Sequence, residues 1–187
     1  MTLFCDMHKS FPFYRSLATV AICLVIIALA CNRDKRHELF TIQDFIDFEI
    51  PPGLNTFETH FFVTNFKPSR FQAQLEASNA DTSDIIAIEA RRAFLTTVFQ
   101  DVNLDFIHRV SVYIFDPYNP SDRIEFLYLD PVPFRDKTSI QLFPGIADIS
   151  QWIMSDYFGI EVRLHFREIT PTLAQMRLEF DVRVLGN

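Results

Sequence analysis

Cysteine, glycine and basic residues are scarce in this sequence, and each scarcity excludes a class of protein. The three cysteines, Cys5, Cys23 and Cys31, all lie near the start of the 187-residue chain, so the remainder cannot be a disulfide scaffold. Only four glycines occur, which excludes a collagen-like or glycine-rich protein. Lys and Arg number 17 against 24 Asp and Glu, and they form no basic stripe. We therefore predict no nucleic-acid partner, because such binding depends on neutralising phosphates.

Apolar residues, by contrast, are plentiful. They make up 49% of the chain, and 21 of them are phenylalanine. A disordered chain lacks this apolar content. The length is typical of one domain that buries a real core.

The first 31 residues have the pattern of an export signal. A segment containing Lys9 and Arg15 is followed by fifteen residues, Leu17 to Cys31, that are all apolar except Thr19. A membrane-spanning helix needs about twenty such residues, whereas this length is typical of the apolar part of a signal peptide.

The sequence Ala28-Leu29-Ala30-Cys31 resembles the lipobox of bacterial lipoproteins. The resemblance implies that signal peptidase II cleaves before Cys31 and that Cys31 carries lipid. One departure is Ala28, where that family prefers Leu. Cleavage by signal peptidase I after Ala30 is one alternative, since the segment is also an A-x-A site, and an uncleaved anchor is another.

The same resemblance implies an organisation and a location for the chain. Residues 1–30 are expected to be the signal peptide, residues 31–38 a lipid-anchored tether, and residues 39–187 a single domain. In such lipoproteins Asn32, directly after the cysteine, is not an inner-membrane retention signal. We therefore expect the protein in the cell envelope, held by its lipid at the outer membrane.

Most of the remaining sequence alternates between apolar and polar residues, as half-buried strands do. Short helices are predicted over 68–80 and 148–157, the first from its helix-forming composition. We predict a mainly β domain, an antiparallel immunoglobulin-like sandwich with one or two short helices. Strands are predicted over 40–50, 56–66, 85–99, 109–115, 123–129, 139–143, 160–167 and 174–184.

The last two strands invite a more specific prediction, because their polar faces have complementary charges. If they pair with each other, one register avoids like-charge contacts, which cost a few tenths of a kcal/mol or more. We predict that register and interpret the surface as a solvated face. It places Glu161 opposite Arg183, Arg163 opposite Asp181 and His165 opposite Glu179.

Motifs that would carry catalysis are incomplete. Residues 101–105 begin like a calcium loop, but Phe106 replaces the required Gly and Val112 the required Glu. The hairpin loop 116–122 could collect a hard cation, although its Asp, Asn and Pro residues are common turn formers. The histidines lack metal-ligand spacing, and the sequence has no Gly-rich phosphate loop and no GxSxG. We predict no enzyme activity, no cofactor and no metal.

The aromatic surplus is the strongest functional signal. In the hairpin over 109–129 both strand faces are apolar, so something must cover them. Either the helix over 148–157 does so with Trp152 in the core, or an exposed patch of Trp152, Tyr118, Tyr113 and Phe115 binds a partner. The predicted function is a non-catalytic interaction or accessory module that binds an envelope protein, and the alternative is a glycan- or lipid-binding module.

Overall fold

Eight strands and two short helices make up the computed structural model, which describes residues 36–99, 102–134 and 138–187. The predicted signal peptide and Cys31 lie outside these residues, and the first strand begins within the predicted tether. The strands are β1 (His37–Ile50), β2 (Thr59–Pro68), β3 (Ile85–Thr97), β4 (Ile107–Asp116), β5 (Asn119–Leu129), β6 (Ser139–Pro144), β7 (Tyr157–Phe166) and β8 (Ala174–Gly186). The helices are α1 (Phe71–Ser78) and α2 (Ser150–Ile153), with a 3-10 turn at Thr82–Asp84.

All eight strands belong to one antiparallel sheet with the order β1-β8-β3-β6-β5-β4-β7-β2. The mainly β, antiparallel prediction is confirmed. The immunoglobulin-like sandwich is not confirmed, because β6 pairs with both β3 and β5 and so joins the two halves into one sheet.

The sheet curls around a single core. In β8 every second residue from Ala174 to Val184 is buried, while the residues between them face outward. Two ring contacts cross between the halves of the sheet: Phe126 to Phe180, with centroids 5.7 Å apart, and Phe48 to Phe62 at 5.0 Å. Burial of these inner rows is the main stabilising term, since apolar burial gives about 25 cal/mol per Å².

The curl brings the two edge strands, β1 and β2, near each other. Lys67 Nζ on β2 lies 2.8 Å from the Asp44 carboxylate on β1, and both side chains are largely buried. A bulge between Thr64 and Lys67, followed by Pro68, distorts the end of β2. Inward charges, bulges and proline are the devices that keep edge strands from pairing with other chains. These edges are therefore poor sites for adding a further strand.

The predicted pairing of the last two strands is wrong. β7 pairs with β2 and β4, whereas β8 pairs with β1 and β3. Residues 167–173 connect the two strands across the end of the curled sheet, and each strand gains two hydrogen-bonded neighbours. Exposed charge pairs contribute too little free energy to outweigh the contacts with these two neighbouring strands. Arg183 accordingly meets Glu89 on β3, at 2.7 Å.

The two helix predictions fared differently. The first is confirmed as α1, whose Phe71 and Leu75 are buried. The second is confirmed only over four residues, because β7 already begins at Tyr157. Asp148 fixes the start of α2: its carboxylate accepts hydrogen bonds from the amides of Ser150 and Ile88.

Residues Arg36–Asn187 form one compact unit and contain the core described above. None of the helices among the described residues is long and apolar enough to cross a membrane.

Gly159 on β7 makes room for a buried aromatic ring. A Cβ atom at this position would lie 2.2 Å from Cζ of Phe115, whose side chain is only 3% exposed. Gly159→Ala is therefore expected to destabilise the fold by about 1–3 kcal/mol through overpacking, measured by urea unfolding. Phe115→Leu in the same chain should restore part of the loss. Gly145→Ala is the control, since its nearest contact would be 3.4 Å; an equal loss there would contradict this explanation.

Candidate functional site

The outer surface of β2, β7, β4 and the β4–β5 turn carries a group of aromatic side chains and one valine that we name the aromatic face. Strand register places Phe61 beside Arg163, and Val63 and Tyr113 on either side of Glu161. All point away from the core, because the intervening β7 residues are buried. The members of the aromatic face are Phe61, Val63, Phe66, Tyr113, Tyr118 and Tyr157.

Arg163 lies at the centre of this face. Its guanidinium stacks 3.9 Å from the ring centroid of Tyr113 and 5.4 Å from that of Phe61. The same group donates to Glu161, and Arg123 Nη1 donates to the other Glu161 oxygen at 2.9 Å. Two guanidinium groups thus share one carboxylate, that of Glu161, which is 8% exposed. Such cation–π contacts contribute about 0.5–2 kcal/mol each.

A second cluster surrounds Phe66, at the bulge in β2. Its ring centroid lies 5.4 Å from that of Tyr118 and 6.5 Å from that of Tyr157, both in edge-on geometry. The three side chains are 50%, 78% and 45% exposed. Phe66 has a φ of 51°, a left-handed conformation that is costly for a bulky residue. Strain of about 1–3 kcal/mol is concentrated at functional positions in proteins, and here it directs a ring into an exposed cluster.

Substitution of Phe66 can measure this strain. At ordinary strand positions Gly is less stable than Ala by about 0.5–1 kcal/mol. At position 66 the order should reverse, because only Gly adopts the left-handed conformation without cost, so Phe66→Gly should be more stable than Phe66→Ala by about 1 kcal/mol. Thermal unfolding of the two variants checks this. The usual order, with Ala the more stable, would show that the bulge is unstrained.

The residues predicted for a binding patch separate into two groups. Tyr113 and Tyr118 lie on the aromatic face, one in each cluster. Phe115 has the same outward parity but is buried against Gly159. Trp152 belongs to the core and is 6% exposed. The structure therefore places two of the four predicted residues on the aromatic face, where Tyr118 is exposed and Tyr113 is half-buried.

Three members of the aromatic face, Phe61, Val63 and Phe66, belong to β2. The alternation of apolar residues over 56–66 predicts that Phe57, Phe61 and Val63 form the inner side of this strand. This prediction is wrong, because Phe61 and Val63 are 56% and 49% exposed. His60 faces inward instead, where it stacks on Phe166 at 5.1 Å and contacts the Asn55 carbonyl. The apolar residues on both parities of this strand were the one signal that could have indicated an exposed aromatic row.

The outer surface of the other half of the sheet has a different character. Its charges pair with one another: Arg177 binds Asp47 through two hydrogen bonds of 2.7 and 2.8 Å, and Arg92 lies 3.2 Å from Asp181. The hydrogen bond from Arg177 lowers the pKa of Asp47, although partial burial opposes this shift. A surface whose charges are satisfied internally has less to offer a partner than the aromatic face.

The candidate cation loops have local structural roles. Asp116 accepts the amide of Tyr118 in the β4–β5 turn, and Asp105 is hydrogen-bonded by Asn103. Asp101 lies outside the described residues. Among the residues that the structure does describe, no group of three or more His, Cys, Asp or Glu side chains converges as a metal site.

No protein-family model matches this chain, and no curated protein matches it.

Proposed function

We propose that this protein is a non-catalytic interaction module of the bacterial cell envelope that binds a partner protein through its aromatic face. The observation that carries the proposal is Arg163 between exposed Phe61 and half-buried Tyr113, beside the exposed cluster of Phe66, Tyr118 and Tyr157. Tyrosine, phenylalanine and arginine are the residue types enriched at the centres of protein interfaces.

The ring geometry favours a protein over a glycan. Sugar rings stack on flat, exposed aromatic surfaces, whereas Phe66, Tyr118 and Tyr157 meet edge-on, at interplanar angles of 74° and 70°. A protein surface can interdigitate with such a cluster. The blunted edges of β1 and β2 also leave the face, rather than strand addition, as the means of contact.

We propose that the two halves of the curled sheet act as the two layers of an immunoglobulin-like sandwich. The contact between Phe126 and Phe180, which packs one half against the other, supports this description. Each layer then has its own outer surface, one self-paired and charged, the other aromatic.

The proposed anchor is lipid on Cys31, five residues before the first described residue. Five extended residues span about 17 Å at most, so the start of β1 would lie near the outer membrane. The intact mass of the native protein from the membrane fraction tests this, beside a Cys31→Ala variant. A chain beginning at Cys31 with added acyl mass, lost in the variant, is the expected result. A chain without acyl mass would overturn the anchor and leave the docking proposal standing.

Site-specific photocrosslinking in intact cells tests the docking proposal. A photoreactive residue at Tyr118 should give a discrete adduct, while one at Glu179, exposed on the charged surface, should not. Phe61→Ser in the Tyr118-labelled chain should reduce the yield without changing the melting temperature. Equal adducts from both positions, or none from Tyr118, would contradict the proposal.

A further inference from the structure

Four loops gather at one end of the sheet, which we name the loop end. The antiparallel register defines it, because the strand ends that each loop connects pair with strand ends that belong to the other loops. The pair of Thr96 with Ser139 places the loop 130–138 at the same end. Described residues of the loops fall within 51–58, 98–106, 130–138 and 167–173. The defining pairs are Ile50 with Ala174, Thr59 with His165, Thr97 with Met176 and Ile107 with Phe166.

Each of these loops exposes large apolar side chains, which we name the apolar tips. Such residues are ordinarily buried, and several exposed at one end of a domain indicate an interaction surface. The exposed fractions are 92% for Phe57, 68% for Phe99, 67% for Phe134, 66% for Ile169 and 49% for Leu173.

The loop that presents Phe57 is held firmly. The Asn55 side chain accepts the amides of Phe57 and Glu58, at 3.0 and 3.1 Å. Gly53 donates to the Thr170 carbonyl, and the Thr170 hydroxyl accepts from the Leu54 amide. The loops carrying Phe57 and Ile169 are therefore fastened together, and Phe57 projects from a fixed turn.

Arg167 fastens the other side of the loop end. Its amide donates to the Phe106 carbonyl, and its guanidinium donates to the carbonyls of Ile107 and Val132. The same guanidinium lies 5.4 Å from the ring centroid of Phe134. The Arg167 guanidinium therefore has its partners within the protein, and its hydrogen bonds hold together the loops that carry the exposed apolar side chains.

We propose that the loop end inserts its apolar tips into the interfacial region of a zwitterionic lipid membrane. None of the described ring contacts joins two of the tips to each other, in contrast to the aromatic face. Separate protrusions suit a fluid surface that closes around each side chain, whereas the centre of a protein interface is a continuous patch. The tips are also free of hydroxyl groups, as suits side chains that enter the acyl boundary.

The charge around the tips specifies the kind of membrane. The sequence of the four loops contains six Asp and Glu against three basic residues, Arg135, Lys137 and Arg167. Glu58, Asp130 and Glu168 are exposed, and Asp130 is paired with Arg109. Carboxylates beside the insertion points repel anionic headgroups, so a neutral surface should be preferred.

The position of the loop end takes this inference beyond the proposed docking function. The chain enters β1 at the opposite end, where His37 pairs with Gly186. The fourteen residues of β1 separate the two ends by roughly 45 Å, which is more than the tether to Cys31 can span. If β1 stands upright on the anchoring membrane, the loop end would contact a lipid surface other than the one holding the anchor.

Vesicle binding of the Arg36–Asn187 unit tests the proposal, since this unit contains its own core. The unit should co-sediment with phosphatidylcholine vesicles, and less with vesicles that include phosphatidylglycerol. Trp152 is the only tryptophan and is buried, so the emission of a Phe57→Trp variant, compared with that of the parent, reports on the surroundings of position 57. Its emission should shift to shorter wavelength when phosphatidylcholine vesicles are added.

Paired variants separate this surface from the aromatic face. Phe57→Asp with Ile169→Asp should reduce vesicle binding about tenfold, with an unchanged melting temperature, because two exposed apolar groups are lost. Phe61→Asp with Tyr157→Asp should leave vesicle binding intact while abolishing the crosslink expected above from the photoreactive residue at position 118. No sedimentation of the parent unit with phosphatidylcholine, an unshifted Phe57→Trp emission, or equal losses in both pairs would overturn the proposal. Loss of the crosslink alone would bear only on docking.

Discussion

Asp44→Ala is expected to lower the free energy of unfolding by about 3–5 kcal/mol, because it leaves a buried ammonium without its partner. The Asp44 side chain is 3% exposed and that of Lys67 is 15% exposed, with 2.8 Å between the charged atoms. The pair joins β1 to β2, the two strands at the open edges of the curled sheet. Its loss should therefore loosen the contact between these edges and also leave the Lys67 ammonium unpaired. Urea unfolding of the variant and the parent measures the effect.

Asp47, three residues further along β1, provides a matched control. It forms a bidentate pair with Arg177, but its side chain is 48% exposed. Asp47→Ala should cost about 1 kcal/mol or less, since solvent screens exposed pairs. Replacing both members of the buried pair, as Asp44→Leu with Lys67→Met, should recover most of the stability lost in Asp44→Ala. Equal losses for Asp44→Ala and Asp47→Ala would show that burial does not set the cost.

The strands could be predicted from the sequence because their signal is local. The alternation in β8, from Ala174 to Val184, and the turn residues between β4 and β5 each determine a short stretch of chain. The strand order could not be predicted, because it depends on which distant strands share the core. The connection over 167–173 contains nothing that distinguishes a hairpin from a crossing to the other half of the sheet.

The candidate site likewise combines residues that local sequence patterns predict with residues whose positions depend on the pairing of distant strands. Tyr113 and Tyr118 were predicted because both faces of their hairpin are apolar, which is a local property. The position of Arg163 over Tyr113 follows only from the pairing of β7 with β4. The exposed position of Phe66 could not be predicted either, because its left-handed backbone conformation arises at a bulge that the β2 sequence does not indicate.

Trp152→Ala should strongly destabilise the fold while leaving the surface nearly unchanged. Trp152 is 6% exposed within the core, so truncation removes a large apolar side chain and leaves a cavity. The expected loss is about 3–5 kcal/mol. At about 2–4 °C per kcal/mol for a domain of this size, the melting temperature should fall by roughly 10 °C.

Two further variants assign the cause of this loss. The Trp152 indole nitrogen is buried and has no hydrogen-bond partner among the described residues, so Trp152→Phe removes an unsatisfied donor along with some volume. It should cost about 1.5 kcal/mol or less, well under the loss for Ala. Phe61→Ala, at a side chain that is 56% exposed, should change stability by about 0.5 kcal/mol or less while weakening the crosslink from position 118. If Trp152→Ala instead kept the melting temperature and abolished the crosslink, Trp152 would belong to the binding surface and the core assignment would be wrong.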